Sequence, residues 1–203
     1  MTLSKKENEV ANTGPRAFIA AFQMSLDGYM QGANGEVDWV DSWSDALQLV
    51  PDADAAVLGG GMYPGYEQLW GSVAADATSG TAMLGRSLTD GEVEYADWTQ
   101  RTPHYVLSST LDAVTWENTH LVRTAGALRT LKTESGGSVY VVGGPSLVSN
   151  LIKERLIDEL RLIVHPLILG GGKTPFGVAD PQTLEFVGSN AIGSGQIVLT
   201  YRT

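Results

Sequence analysis

The sequence predicts an α/β fold, with a mixed and mostly parallel central sheet, helices on both faces and antiparallel strands at the carboxyl end. Three observations carry this expectation. Apolar, β-branched runs alternate with amphipathic helical patterns over most of the chain. Several of those runs end directly in glycines, at Gly59-Gly60-Gly61, Gly143-Gly144 and Gly170-Gly171-Gly172. Beyond Leu160, strand patterns follow one another with no helix between them.

Ala17 to Met24 reads as the first strand, apolar almost throughout and therefore central. Ser25 to Trp39 follows, a loop rich in Gly, Asp and Asn that either lies over a pocket or is a plain hairpin turn. Asp41 to Leu49 has a short helical pattern with Ala46, Leu47 and Leu49 on its buried side. Asp54 to Leu58 is a second strand, and Met62 to Trp70 a helix whose start Pro64 and Gly65 make irregular.

Val73 to Arg101 gives weak signals, with small and polar residues suggesting a surface excursion and a helical pattern only over Glu92 to Trp98. Tyr105 to Leu107 and Thr119 to Val122 are strands, and Ala125 to Thr133 a helix. Leu160 to Leu169 is a long strand that Pro166 must interrupt at an edge, bend or bulge. Thr183 to Val187 and Gln196 to Tyr201 make the antiparallel finish.

Between these lies Ser138 to Val148, a buried strand, a double-glycine turn and an amphipathic helix with Leu147, Val148, Leu151, Ile152 and Leu156 on one face. Pro145 suits a first helical turn, where its missing N–H costs nothing. Two glycines leave the backbone bare, so free N–H groups and the positive end of the helix can meet an anion such as phosphate. The same residues also suit an ordinary strand-to-helix turn.

The totals bound the function. At 203 residues the chain fits one domain with a sizeable core, expected over residues 16–203 behind a flexible, polar arm at 1–15. There are no cysteines, which excludes disulfides, thiolate nucleophiles and zinc–thiolate sites. The three histidines, His104, His120 and His165, are scattered beside β-rich runs, and no metal site is expected. A net charge of −10 argues against nucleic acid or an anionic membrane as partner. Between Arg16 and Arg86 there is no Lys or Arg but nine Asp or Glu, so an anionic ligand must be held by backbone N–H groups, hydroxyls or the basic residues of the second half. No apolar run is long enough to span a membrane, and the arm has no signal-peptide core, so a cytoplasmic protein is expected.

Seven motifs in order resemble the dihydrofolate reductase-like superfamily, and within it the C-terminal reductase domain of the riboflavin-pathway deaminase/reductase. They are S-L-D-G-Y at Ser25 to Tyr29, G-E-V-D-W at Gly35 to Trp39, A-D-A-A-V-L-G at Ala53 to Gly59 and Y-V-L-S-S-T-L at Tyr105 to Leu111. V-V-G-G-P-S-L at Val141 to Leu147, I-D-E-L-R-L at Ile157 to Leu162 and P-L-I-L-G-G-G-K at Pro166 to Lys173 complete the set, with Phe176 beyond. The resemblance spans Arg16 to Arg202.

It implies the three-layer dihydrofolate reductase-like fold, a homodimer, and NADPH-dependent hydride transfer to a small heterocycle or carbonyl compound, with NADH as the alternative cofactor. The family label is 5-amino-6-(5-phosphoribosylamino)uracil reductase. By the same resemblance, the pyrophosphate lies on Val142, Gly143, Gly144, Pro145, Ser146 and Leu147, with Gly59 and Gly60 contributing. Ser108, Ser109 and Thr110 approach the adenosine ribose and its phosphate, while Ala21 and Met30 flank the nicotinamide. The substrate is expected beside Met24, Ser25, Asp27, Trp39 and Tyr63. Asp27 is the expected polar anchor. Asp41 or Asp45 matches the acidic residue that in dihydrofolate reductases follows the loop tryptophan, and Asp45 is carried forward with Asp27 as a catalytic candidate.

The chain departs from the family pattern at three places. Gly60 and Gly61 stand where a basic residue usually follows the strand-end glycine, and Ser109 replaces the arginine of S-R-T. Two charge-assisted contacts, each worth roughly 1.5–3 kcal/mol, are thereby missing, which weakens NADPH binding or shifts preference toward NADH. Val142 replaces the acidic residue that holds the pyrimidine, and the deaminase half, whose zinc needs cysteines, is absent. Two rival readings follow: a ligand-binding domain that kept the fold without catalysis, and a dihydrofolate reductase.

Overall fold

The computed structural model describes residues 15–177, 181–193 and 195–203; nearly all of the expected 1–15 arm lies outside them. Eight strands form one sheet in the order β4-β3-β2-β5-β1-β6-β8-β7. They are β1 (Phe18–Ser25), β2 (Ala53–Gly59), β3 (His104–Leu107), β4 (Thr119–Val122), β5 (Ser138–Gly143), β6 (Glu159–His165), β7 (Glu185–Ile192) and β8 (Gln196–Arg202). β4, β3, β2, β5, β1 and β6 run parallel, and β8 turns antiparallel against both β6 and β7.

β1 is central because both its faces are apolar, and all eight of its residues are buried. Side chains alternate across the sheet. Ile19, Ala21, Leu58, Val106 and Tyr140 face one layer, made by α1 (Asp45–Gln48), α2 (Tyr63–Ala75) and α4 (Asp90–Arg101), with α3 (Ala77–Leu84) packed on α2. Phe18, Ala20, Val57, Val139 and Val141 face the other, made by α5 (Pro145–Lys153) and a 3-10 segment (Ala125–Thr133). Leu147, Val148, Leu151 and Ile152 of α5 are buried there, at roughly 1.5–3 kcal/mol for each side chain removed from water. Leu151→Ala would therefore cost about 2–5 kcal/mol.

The expected alternation and antiparallel finish are present, and the differences have local causes. The segment expected as a helix over Asp41 to Leu49 keeps a single helical turn, because its serines and Asp41 bond elsewhere. Ala125 to Thr133 winds as 3-10, with only Ala125, Leu128 and Leu131 buried at a spacing of three. β6 stops at His165, one residue before Pro166, which has no N–H to continue the ladder.

Val73 to Arg101 proves to be mostly helix. Asp76 caps α3 by accepting from Thr78 N at 3.1 Å, and Thr89 with Glu92 forms a capping box that starts α4. The I-D-E-L motif also acquires a role: Asp158 accepts from Phe18 N at 2.8 Å and from Lys132 Nζ at 2.6 Å, fixing where β1 begins.

Candidate active site

The parallel strands end along one edge of the sheet, at Ser25, Gly59, Leu107, Gly143 and His165. Ligands of open α/β sheets bind along this kind of edge. Two hollows open there, one on each side of the Gly143-Gly144 turn.

Both glycines have positive φ, 120° and 90°, which a side chain would strain. A β-carbon on Gly143 would touch Met30 Cε at 3.4 Å, whereas one on Gly144 would meet nothing within 4 Å. Gly144 is thus bare backbone facing open space, followed by Pro145 at the first turn of α5. The ladder between β2 and β5 slips here, pairing Val57 with Val141 and Leu58 with Gly143, so Val142 is the extra residue.

The first hollow is a cleft of about 300 Å³. Phe22, Gln23, Tyr140 and Val142 from the strand ends form its floor. Met30 and Gln31 from the loop after β1, Trp43 beside α1, and Met62, Tyr66, Leu69 and Trp70 from α2 form its walls, with Tyr95 of α4 behind and Gly144 and Pro145 at one side. Trp70 and Tyr95 stack with centroids 4.5 Å apart. Tyr66 Oη and Tyr95 Oη are 2.8 Å apart, and Tyr66 Oη lies 3.3 Å from His104 Nε2.

Gln23 is the polar centre of the floor. Its Nε2 donates to Ser42 O at 2.6 Å, so its Oε1 must accept from His165 Nε2–H at 2.7 Å. Burial pushes His165 below its ordinary value, while nearby Asp41 opposes the shift. Trp39 packs edge-on against His165 at 5.0 Å.

The second hollow is lined by Gly59, Gly60 and Gly61, by Ser108, Ser109 and Thr110, and by Ser146 and Leu147 at the start of α5. Arg123, the residue after β4, is the one cation among its described lining residues. Its Nη1 donates to Ser108 O at 3.2 Å and to Leu111 O at 2.7 Å, propping the loop after β3.

Several expected residues lie elsewhere. Ala21 is buried in the core under α2, and Met24 in the core on the other face. Tyr63 faces away from the cleft, donating to Glu67 and accepting from Thr115 N and Trp116 N. Ser25 and Asp27 hold the loop after β1. Ser25 Oγ donates to Asp27 Oδ1 at 2.7 Å and accepts from Tyr29 N. Asp27 also accepts from Leu169 N at 3.1 Å and Gly170 N at 2.8 Å, tying that loop to the one after β6. Ser25 followed by the two loop amides keeps the Asp27 carboxyl below its ordinary value. Asp41 accepts from Gln196 Nε2 at 3.1 Å.

Asp45 sits on α1 between the cleft residues Trp43 and Ala46. Burial raises its carboxyl, Ser42 opposes, and the charges of Asp41 and Glu92 add to the rise.

The sequence reading missed Gln23, Trp43, Arg123 and Glu92. Glu92 is fully buried and grips Arg86 through both oxygens at 2.9 and 2.7 Å while accepting from Trp43 N at 3.0 Å. The weak-signal segment therefore positions a cleft wall. Among the described residues, no group of three or more His, Asp or Glu could hold a metal ion, and no helix is long and apolar enough to cross a membrane.

The fold is dihydrofolate reductase-like. Residues 16–198 match the RibD C-terminal domain, and the chain belongs to that family of reductase domains. The chain is 28% identical over 196 residues to the uncharacterized protein YyaP of Bacillus subtilis, covering 94% of this chain and 96% of that one. Its fold is similar to that of a putative riboflavin biosynthesis protein from Shewanella sp. PV-4, with TM-score 0.64, 24% identity, and 92% and 98% of the two chains covered. It is also similar to dihydrofolate reductase from Enterococcus faecalis complexed with NADP(H), with TM-score 0.54, 17% identity and 92% and 95% covered.

Proposed function

We propose that the protein is a nicotinamide-dependent reductase that binds NADPH, or NADH, across the Gly143-Gly144 turn and reduces a small molecule in the cleft. The observation that carries this reading is the pair of hollows flanking one bare-backbone turn. A dinucleotide has two ends joined by a pyrophosphate, and the similar dihydrofolate reductase of Enterococcus faecalis is described as complexed with NADP(H).

The residues fit that group. Gly144 offers bare backbone, and the amides at the start of the nine-residue α5 point the same way, so the pyrophosphate belongs there. The hydroxyls of Ser108, Ser109 and Thr110 with Arg123 suit the adenosine ribose and its phosphate. Met30, Val142 and Pro145 suit the nicotinamide. Bound there, the reduced nicotinamide supplies the hydride.

The chain's own residues orient the partners and keep water out. The aromatic walls exclude solvent, and Asp27 clasps the covering loop to the loop after β6. Asp45, whose carboxyl burial raises, stands on α1 beside the cleft residues Trp43 and Ala46 and not among them, and is proposed to supply a proton to the reduced centre through a water. β7 is an edge strand with Phe186 57% and Val187 47% exposed, which supports pairing of two copies as a homodimer.

The test is a thermal melt with and without NADPH, followed by cofactor oxidation against carbonyl and pterin-type acceptors. A midpoint that rises with cofactor concentration and acceptor-dependent oxidation support the reductase. A rise without any turnover favours the non-catalytic binding domain, and no rise overturns the reading.

A further inference from the structure

We propose that the cleft takes an uncharged, planar, largely apolar substrate and rejects phosphorylated ones, so that the two hollows divide their work by charge. The inference rests on the reading of the cleft as the substrate site of a reductase, and it departs from the phosphoribosylated pyrimidine of the family label.

Among the described lining residues of the cleft, none is Lys, Arg, His, Asp or Glu. The absence of Lys and Arg follows from the sequence, because the segments that build most of its walls fall between Arg16 and Arg86, where neither occurs; the nine Asp or Glu of that interval lie outside the lining. The polar atoms present are mostly committed. Gln23 is held at both ends of its amide by Ser42 and His165. The hydroxyls of Tyr66 and Tyr95 face each other at 2.8 Å. What these side chains offer a ligand is ring surface, with Trp43 and Trp70 beside them. Gln31, half-buried, remains as an amide that can orient a neutral heteroatom.

A phosphate carries close to two charges at neutral pH, and enclosing it in the cleft strips its hydration with no cation in exchange, the bare backbone at Gly144 being the seat proposed for the cofactor's pyrophosphate. A flat ring system instead gains apolar burial and stacking, and a cavity of about 300 Å³, shared with the nicotinamide proposed to enter beside Val142 and Pro145, suits a small ring system. The contrast with the second hollow sharpens the point. There the lining includes glycine backbone, hydroxyls and Arg123, which suit a phosphate, with the one carboxylate among its described residues, Glu154, paired to Arg129; Val142 and Pro145 face the cleft while Ser146 faces that hollow.

The experiment titrates 2-naphthol and 2-naphthyl phosphate separately into the full chain by calorimetry, with competition between them to show a shared site. The pair differs only in the phosphate. We expect saturable binding of 2-naphthol, weakened in Trp43→Ala, and at least about tenfold weaker binding of the phosphate at the site that 2-naphthol occupies. Gln31→Arg, which puts a cation beside the cleft, should narrow that gap. Equal or tighter binding of the phosphate at the shared site overturns the inference, as does failure of 2-naphthol to bind at millimolar concentration. A parallel NADPH titration separates the two claims. Selective 2-naphthol binding without NADPH binding removes the reductase reading alone, and NADPH binding without that selectivity removes the substrate inference alone.

Discussion

A β-carbon at position 60 would stand 2.4 Å from both Cβ and Oγ of Ser108. The ends of β2 and β3 are pressed together there, and Ser108 Oγ accepts from Thr110 N at 3.3 Å and Leu111 N at 2.9 Å to shape the loop. The basic residue that the family resemblance leads one to expect here cannot enter unless that loop moves. Glycine at 60 is a steric requirement of this chain's packing. Gly60→Ala should therefore lower stability by about 1–3 kcal/mol and weaken cofactor binding, because it displaces Ser108. Gly61→Ala, with nothing within 4 Å of its β-carbon, should leave stability within about 0.5 kcal/mol. Urea denaturation of both variants checks the pair.

Arg123, just after β4, is the residue that the proposed reading puts in the place of the missing cations. Its Nη1 holds Ser108 O and Leu111 O, and Nη2 and Nε remain to meet a phosphate over the second hollow. Arg123→Ala should raise the NADPH dissociation constant by about tenfold to a hundredfold, the range of a lost charge-assisted contact. NADH, which lacks that phosphate, should be affected far less. Titrating both cofactors against the variant reads the difference, and equal losses would assign Arg123 to loop support alone.

Glu92 links the helical excursion to the cleft. Burial would raise its carboxyl, but the bonds from Arg86, Trp43 N and Thr89 N outweigh burial and hold it below its ordinary value. A lowered carboxylate contributes stability above its unfolded value, and that contribution is lost as pH falls through the folded one. Glu92→Gln should cost about 1–3 kcal/mol, with Arg86 partly exposed and so partly rehydrated. It should also shift the emission of Trp43. Denaturation curves and tryptophan spectra on one sample measure both.

His104 sets an acid sensitivity of opposite origin. Burial lowers it to about 4, against the smaller opposing effect of its bond to Thr102 O, so it stays neutral in the fold. As pH falls, the unfolded chain takes up the proton first, so stability drops between the ordinary histidine value of 6.5 and about 4. The slope is about 1.4 kcal/mol per pH unit for one such group. His165 is lowered in the same direction and adds to it. In His104→Gln, stability measured by urea denaturation across this interval should fall less steeply.

Asp45 should reveal itself in the pH profile of turnover. A raised carboxyl that donates a proton gives activity that declines as pH rises through its value. Asp45→Asn should flatten that limb and lower the rate about a hundredfold, with cofactor affinity unchanged. Asp27→Asn should instead alter the KM for substrate through the loop clasp and leave the shape of the profile intact.

The parts of this fold that were legible in the sequence are those where one local signal suffices. β1, β2 and β5 are apolar runs that end at turns, and α5 carries an apolar stripe behind Pro145. Pro166 marked the stop of β6 for the simple reason that it lacks an N–H. α3 was hidden because Ala77, Thr78 and Ser79 are exposed and carry no apolar stripe, and its one buried residue is Gly80, set against Val73 of α2. In the candidate site, the glycine turn was readable as a strand-to-helix turn, and the hydroxyls after β3 came from the family resemblance alone. The choice of tryptophan was not. Trp39 and Trp43 are four residues apart, and only Glu92, 49 residues beyond Trp43, fixes Trp43 in the wall. Asp27 likewise looked like a substrate anchor because its amide partners lie 142 and 143 residues away.

The central claim is that a nicotinamide dinucleotide spans the turn with its ring in the cleft, where Trp43 and Trp70 stand in the wall. Titration of the protein's tryptophan emission with NADPH and NADH tests it most directly. The expected result is saturable quenching, retained in part in Trp43→Phe and abolished in Gly144→Val, whose positive φ and bulk close the seat. No saturable change with either cofactor up to millimolar concentration, in a protein that is folded by circular dichroism, would contradict it.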